Sequence, residues 1–351
     1  MKKMLLPVLF SLTVAVCRAD GLAAPERSAG GPYHFIKEIP VGGEGGWDAL
    51  TVDSAGQRLY VSHASKVVVI DLAKDQVVGE ITNTPGVHGI AVAPKLNRGF
   101  TSNGRENTVS IVDLKTLQTL SRVDTGTNPD AIFFEPGQNE VYAFNGRGQS
   151  ATVIDAKSGK VVATIPLGGK PEFAEADPEA HRVFNNLEDK NEVVAIDTKT
   201  HAVVNTWPIA PGEEASGIAI DLKNHRLFLG CGGSKTMVMM DSTSGKVIAS
   251  VPIGQGVDGS AFDPGTGLAF ASCGDGTTTI AKEESPDKLT IVQTLKTERG
   301  ARTMVMDPKT HKIYLPTAQF EPQPEPAAGE RRQRPKMVPG TFKILVYGME
   351  K

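Results

Sequence analysis

Along almost the whole chain, apolar runs of about five residues alternate with clusters of Gly, Pro, Asp and Asn, the pattern of short strands joined by tight turns. One stretch shows it well. Strands are predicted over 131–134, 141–145, 151–154 and 161–165, with Glu135-Pro136-Gly137-Gln138-Asn139 and Asp155-Ala156-Lys157-Ser158-Gly159 as turns. The apolar positions carry no helical period, which excludes stacked helical repeats.

The pattern itself repeats. An apolar residue followed by Asp occurs at Ile70-Asp71, Val112-Asp113, Ile154-Asp155, Ile196-Asp197 and Met240-Asp241, a beat of about 42 residues. A second marker keeps the same beat at Asp53, Ala93, Glu135, Asp177, Asp221, Asp263 and Asp307, which makes seven repeats. A four-stranded unit of this size cannot bury both its faces alone, and radial stacking around a channel solves the problem. The expected fold is therefore all-β: a seven-bladed β-propeller with four antiparallel strands per blade.

The chain ends support ring closure. The seventh repeat has three predicted strands, over 303–306, 312–316 and 342–347, and lacks a fourth. The segment 34–39 reads like the fourth strands elsewhere, so the N-terminal strand is expected to complete the last blade and cover a bare edge.

The second strands read Tyr60-Val61-Ser62-His63, Phe100-Thr101-Ser102-Asn103, Tyr142-Ala143-Phe144-Asn145, Phe228-Leu229-Gly230-Cys231, Phe270-Ala271-Ser272-Cys273 and Tyr314-Leu315-Pro316-Thr317. This resembles the YVTN-type repeat of YncE-like exported β-propellers, over residues 34–351. The fourth repeat departs from it with Phe184-Asn185-Asn186-Leu187. The resemblance implies a surface-layer or periplasmic binding propeller, and some members of that family are associated with single-stranded DNA.

Lys2 and Lys3 precede an apolar run over 5–16, followed by small-residue cleavage sites near 19–24. Residues 1–24 thus read as a signal peptide, 25–33 as a flexible linker and 34–351 as the propeller, and the expected location is periplasmic or secreted. The apolar run is too short to span a bilayer. With 37 Lys+Arg against 40 Asp+Glu, net charge exerts no pull toward nucleic acid or anionic lipid. A monomer is expected. No CxxC or CxxCH motif occurs, which excludes covalent c-type haem, and no cofactor is expected. Cys231 and Cys273 occupy equivalent positions of neighbouring repeats, too far apart to bridge.

Repeats let equivalent positions be compared. Five residues before each second marker stand Asp48, His88, Asp130, Glu172, Ser216, Asp258 and Arg302, all polar within otherwise apolar strands. In a propeller they would ring one mouth of the central channel, where a ligand could bind. Crowded carboxylates either raise one another's pKa or demand a cation, so a divalent metal is conceivable, although no metal site is assigned. On the same face, His63, Asn103 and Asn145 end second strands, and Arg105 and Arg147 in the following loops could present donors to an anion. His181, His201, His225 and His311 fall in turns on the opposite face and are expected to be solvated. The segment 318–341 is Pro-rich, carries Arg331, Arg332, Arg334 and Lys336, and reads as a disordered or extended loop inserted in blade 7.

No nucleophile elbow, zinc-protease, phosphate-loop or dinucleotide motif is present. The leading expectation is a binding or scaffold protein that takes a small molecule, peptide or protein at the channel mouth. The alternatives are a hydrolase or lyase using the carboxylate and histidine ring, with or without a metal, and a single-stranded DNA binder using Trp47, Phe173, Arg105 and Arg147.

Overall fold

The computed structural model describes residues 30–322 and 336–349. The N-terminal apolar run with its cleavage sites, and residues 323–335 of the blade 7 insertion, lie outside the described residues.

Among those residues, seven antiparallel sheets of four strands stand in a ring, one sheet for each sequence repeat. The innermost strands are Trp47–Asp53, Val87–Ala93, Pro129–Glu135, Pro171–Asp177, Ala215–Asp221, Val257–Asp263 and the short Val305–Asp307. Each packs against the inner strands of its two neighbours, and Trp47–Asp53 meets Val305–Asp307 where the ring closes. The second and third strands are almost wholly buried, apart from the outer end of Thr277–Ser285, because both sheet faces are covered by adjacent blades. Tyr142 and Val153 of blade 3, for instance, share a cluster with Val183 and Val194 of blade 4. Outer strands such as Thr119–Asp124 face solvent along most of their length.

The recurring Asp residues are explained by turn chemistry. Asp113 Oδ1 accepts hydrogen bonds from the backbone N–H of Lys115 (2.9 Å) and Thr116 (2.8 Å), which fixes the turn after the third strand. Asp197 and Asp241 do the same for the turns that follow them. The second marker caps the turn between first and second strands, where Glu135 accepts from Gly137 and Gln138, both at 2.6 Å. These turns also join blades. Ser54 donates to Asp307 at 2.5 Å, and His311 Nδ1 lies 2.7 Å from Asp263 Oδ2. His201 Nε2 lies 3.0 Å from both oxygens of Glu140. The expectation that the histidines of this face are merely solvated is thus corrected for His201 and His311, which bridge neighbouring blades.

The last sheet is closed by the N-terminal strand Tyr33–Pro40, which pairs with Lys343–Met349 from Tyr33↔Met349 to Pro40↔Lys343. Tyr33 already belongs to this strand, one residue before the expected start. Its backbone is held by Gln293 at 2.9 and 2.7 Å, and its hydroxyl donates to the His311 carbonyl at 2.8 Å. Tyr33 and Ile39 are fully buried.

The two ends of the blade 7 insertion pair with each other as extended backbone. Glu321 N–H donates to the Lys336 carbonyl and Val338 N–H to the Gln319 carbonyl, both at 2.8 Å, around a bridge between Phe320 and Met337. Phe320 then lies against Trp47, with ring centroids 6.0 Å apart.

Candidate functional site at the channel mouth

In the first six blades the inner strand slips register at the mouth residue: between Trp47 and Leu50, Val87 and Gly89, Pro129 and Ile132, Pro171 and Ala174, Ala215 and Gly217, and Val257 and Gly259. Each of Asp48, His88, Asp130, Glu172, Ser216 and Asp258 therefore sits in a β-bulge, a device that re-aims a side chain out of the ladder.

A second device fixes the bulge. Ser62 Oγ lies 2.8 Å from the His88 carbonyl oxygen, and Ser102 Oγ lies 2.6 Å from that of Asp130. Asn186 Nδ2 donates to the Ser216 carbonyl at 2.9 Å, and Ser272 donates to that of Arg302. In each pair a second-strand side chain of one blade holds the mouth backbone of the next. Where the ring closes, Thr303 donates to the Asp48 carbonyl at 3.0 Å. The divergent Asn185-Asn186 pair of the fourth repeat serves the same end, since Asn185 holds the Glu172 carbonyl of its own blade at 2.7 Å.

The seven mouth side chains fall into two linked groups. His88 Nδ1 lies between Asp48 Oδ2 (2.8 Å) and Asp130 Oδ1 (3.2 Å), so blades 1, 2 and 3 are tied by one imidazole. Opposite, Ser216 donates to Asp258 Oδ1 at 2.8 Å and lies 3.4 Å from Glu172, while Arg302 pairs with Asp258 at 3.2 Å.

Burial dominates the electrostatics. It pushes Asp130 up to about 6 against the opposing His88 charge, with Asp48 and Asp258 adding to the rise. Burial likewise pushes Glu172 up to about 7, although Lys170 pulls the other way. Asp258 is raised by burial more than Arg302 lowers it. Burial lowers the His88 pKa, but the hydrogen bond with Asp48 and the nearby carboxylates outweigh it, so the net shift is upward. A mouth of this kind changes its charge close to neutral pH.

One member of the site escaped the sequence reading. Lys170 pairs with Glu172 at 2.7 Å and also with Glu188, so the turn Glu188–Lys190 is anchored to the mouth. A signal was present. Two residues before the mouth position, four other repeats have glycine (Gly46, Gly86, Gly256 and Gly300), and only the fourth has lysine.

The structure corrects three of the secondary candidates, His63, Asn103 and Asn145. Asn103 and Asn145 are buried and donate within their own blades, Asn103 to Thr108 (3.2 Å) and Ser110 (2.8 Å), Asn145 to Ser150 and Thr152 (both 3.1 Å). They fasten the third strand and present nothing to a ligand. His63 is buried too, its ring 4.3 Å from that of Phe342, and burial and Lys66 lower its pKa. Arg105 and Arg147 are exposed. Trp47 stacks on Phe342 (5.1 Å) and Phe173 lines the channel, so neither is an open platform for nucleobases. Cys231 and Cys273 are buried free thiols, each pushed up to about 12 by burial.

For a metal, the donor set is Asp48, His88 and Asp130, whose ligand atoms all lie within 4.8 Å of one another. One imidazole with two carboxylates suits a divalent first-row ion. Among the described residues no helix is long and apolar enough to cross a membrane.

Fold and site together define a seven-bladed β-propeller with a polar, mixed-charge channel mouth. No family model matches the chain, and no curated protein matches it. Among solved structures 1756 chains match, a breadth that belongs to a fold rather than to one activity. One of them, the hydrazine synthase of Kuenenia stuttgartiensis, aligns with a TM-score of 0.50 at 17% identity, over 71% of this chain and 96% of that one. At that identity the likeness shows the fold alone.

Proposed function

We propose that this chain is an exported, YncE-like binding propeller that takes a ligand of mixed charge, a small molecule or the end of a peptide, at the channel mouth. The observation that carries this reading is convergence: side chains from seven blades meet in two hydrogen-bonded groups around one opening. Arg302 and Lys170 offer donors to an anionic group, and Asp48 and Asp130 offer acceptors to a cationic one. The basic start and apolar run at the N-terminus support export, and the second-strand repeat supports the YncE-like kinship.

A thermal-shift screen of small charged molecules, peptides and divalent ions tests the reading, with His88→Ala and Arg302→Ala alongside the parent. A mouth ligand raises the parent's melting temperature and loses that effect in one or both variants. A ligand that stabilises both variants as much as the parent binds elsewhere and overturns the assignment.

The clustering of Asp48, His88 and Asp130 favours one further reading, a hydrolase or lyase that holds a divalent metal there. The metal would polarise a substrate oxygen, and Glu172, across the mouth, would hold or accept a proton. Metal analysis separates the two readings. Stoichiometric metal in the parent, lost in Asp130→Ala, supports the enzyme; metal-free protein that still binds a mouth ligand supports the binding module.

A further inference from the structure

Below the mouth the channel is a cavity of ≈ 450 Å³ walled by the inner strands. Its lining includes Ile90, Ile132, Phe133, Phe173, Phe262 and Met304, with polar groups supplying a comparable share of the wall. A volume of this size matches small-molecule sites in general.

One residue breaks the pattern of the lining. Three positions after each mouth residue, the other six repeats have Thr51, Ala91, Phe133, Ala219, Ala261 and Val305, none of them ionisable. The fourth repeat has Glu175, which lines the cavity. No hydrogen bond or ion pair to its carboxylate is found among the described residues, and no neighbouring charge perturbs it. Glu175 is partly buried on its inner strand and borders the cavity. A carboxylate in such surroundings is costly unless a proton or a cation joins it.

We infer that the channel interior is a binding site for a small organic ammonium ion, with Glu175 as its counter-ion. Three considerations select this class. An anion would meet a carboxylate and no cationic side chain. A bare divalent metal needs several oxygen ligands, and the cavity wall supplies one carboxylate. A neutral apolar molecule would fill the space but gain nothing from the acid. An ammonium ion with apolar substituents matches both kinds of lining group: the carboxylate takes the charge, and Phe133 and Phe173 border the same cavity, where aromatic rings suit a cation bearing carbon. The site is separate from the proposed mouth site, since none of the mouth side chains forms part of the cavity lining.

Titration calorimetry on the full chain tests the inference, with benzylammonium and tetramethylammonium as probes and benzyl alcohol as the neutral control. The parent is expected to bind at least one ammonium probe at roughly millimolar concentration or below, and benzyl alcohol more weakly. Glu175→Gln, which keeps the shape and removes the charge, is expected to weaken ammonium binding by roughly tenfold or more and to leave benzyl alcohol unchanged. Glu175→Asp, which keeps the charge, should retain the preference for ammonium over alcohol. His88→Ala separates the two sites: undiminished ammonium binding there supports an interior site whatever becomes of the mouth reading. No ammonium binding by the parent, or equal binding by the parent and Glu175→Gln, overturns the inference.

Discussion

The hydroxyl of Ser102 in blade 2 donates to the backbone carbonyl of Asp130 in blade 3 across 2.6 Å. The bond joins the interior of one sheet to the functional rim of the next, and Ser62, Asn186 and Ser272 repeat it around the ring. Ser102 is fully buried, so losing its hydroxyl leaves a buried carbonyl short of a partner. Ser102→Ala should therefore cost about 1–3 kcal/mol in stability. Chemical denaturation measures it, with Ser121→Ala on an exposed outer strand as the control that should change little.

Ring closure depends on a strand far removed in sequence from its partners. Ile39 is fully buried in a cluster with Leu50, Tyr314 and Ile344. Ile39→Ala is expected to destabilise the protein by about 2–5 kcal/mol, the usual range for emptying a buried aliphatic site. Removal of residues 33–40 altogether should lower the thermal midpoint further. A truncated protein that melts like the parent would contradict the closure.

Arg302 is the counter-charge of a buried acid, which makes its contribution depend on pH. Burial already raises the Asp258 pKa, and Arg302 restrains the rise. In Arg302→Met the acid moves up further, so the folded state holds its proton to higher pH than in the parent. The variant's deficit is then expected to be larger at pH 8 than at pH 4, because the lost Arg302 charge matters only while Asp258 is ionised. Thermal unfolding of the parent and the variant at the two pH values measures the difference, and an equal deficit at both would show that Arg302 acts by packing alone.

Glu175 gives the opposite kind of dependence, a gain on mutation. Burial raises its pKa from 4.5 to about 7. Between those values the unfolded chain has released the proton and the folded protein has not, so stability falls as pH rises through the interval and levels off above 7. Glu175→Gln should be more stable than the parent at pH 8, by on the order of 3 kcal/mol, with no gain at pH 4. Denaturant unfolding at both pH values tests the sign.

The fold was legible because a propeller writes its architecture seven times. Asp113, Asp155 and Asp197 need no tertiary context, since each bonds the backbone of its own turn. The mouth positions were legible for the same reason: the same offset from the marker selects Asp48 and His88, and the structure puts them 2.8 Å apart. Residues that act in a single repeat were not legible. Lys170 and Glu175 depart from their equivalents, and only the ring geometry shows what they face. Asn103 and Asn145 misled because residues at strand ends can turn outward to a ligand or inward to the next strand, and their pairing with Ser110 and Thr152 arises only once the sheet has formed. The Ser102 and Asn186 bonds stayed hidden because they cross from one repeat to another.

The pairing of Tyr33–Pro40 with Lys343–Met349 also orders events during synthesis. The first strand leaves the ribosome with no partner to receive it, and its partner is made only after the strands of the six other blades. Until then the ring has an unsealed seam, with unpaired backbone on both sides of the gap. A chain that lacks either strand keeps that seam, an unpaired sheet edge of the kind that invites edge-to-edge association.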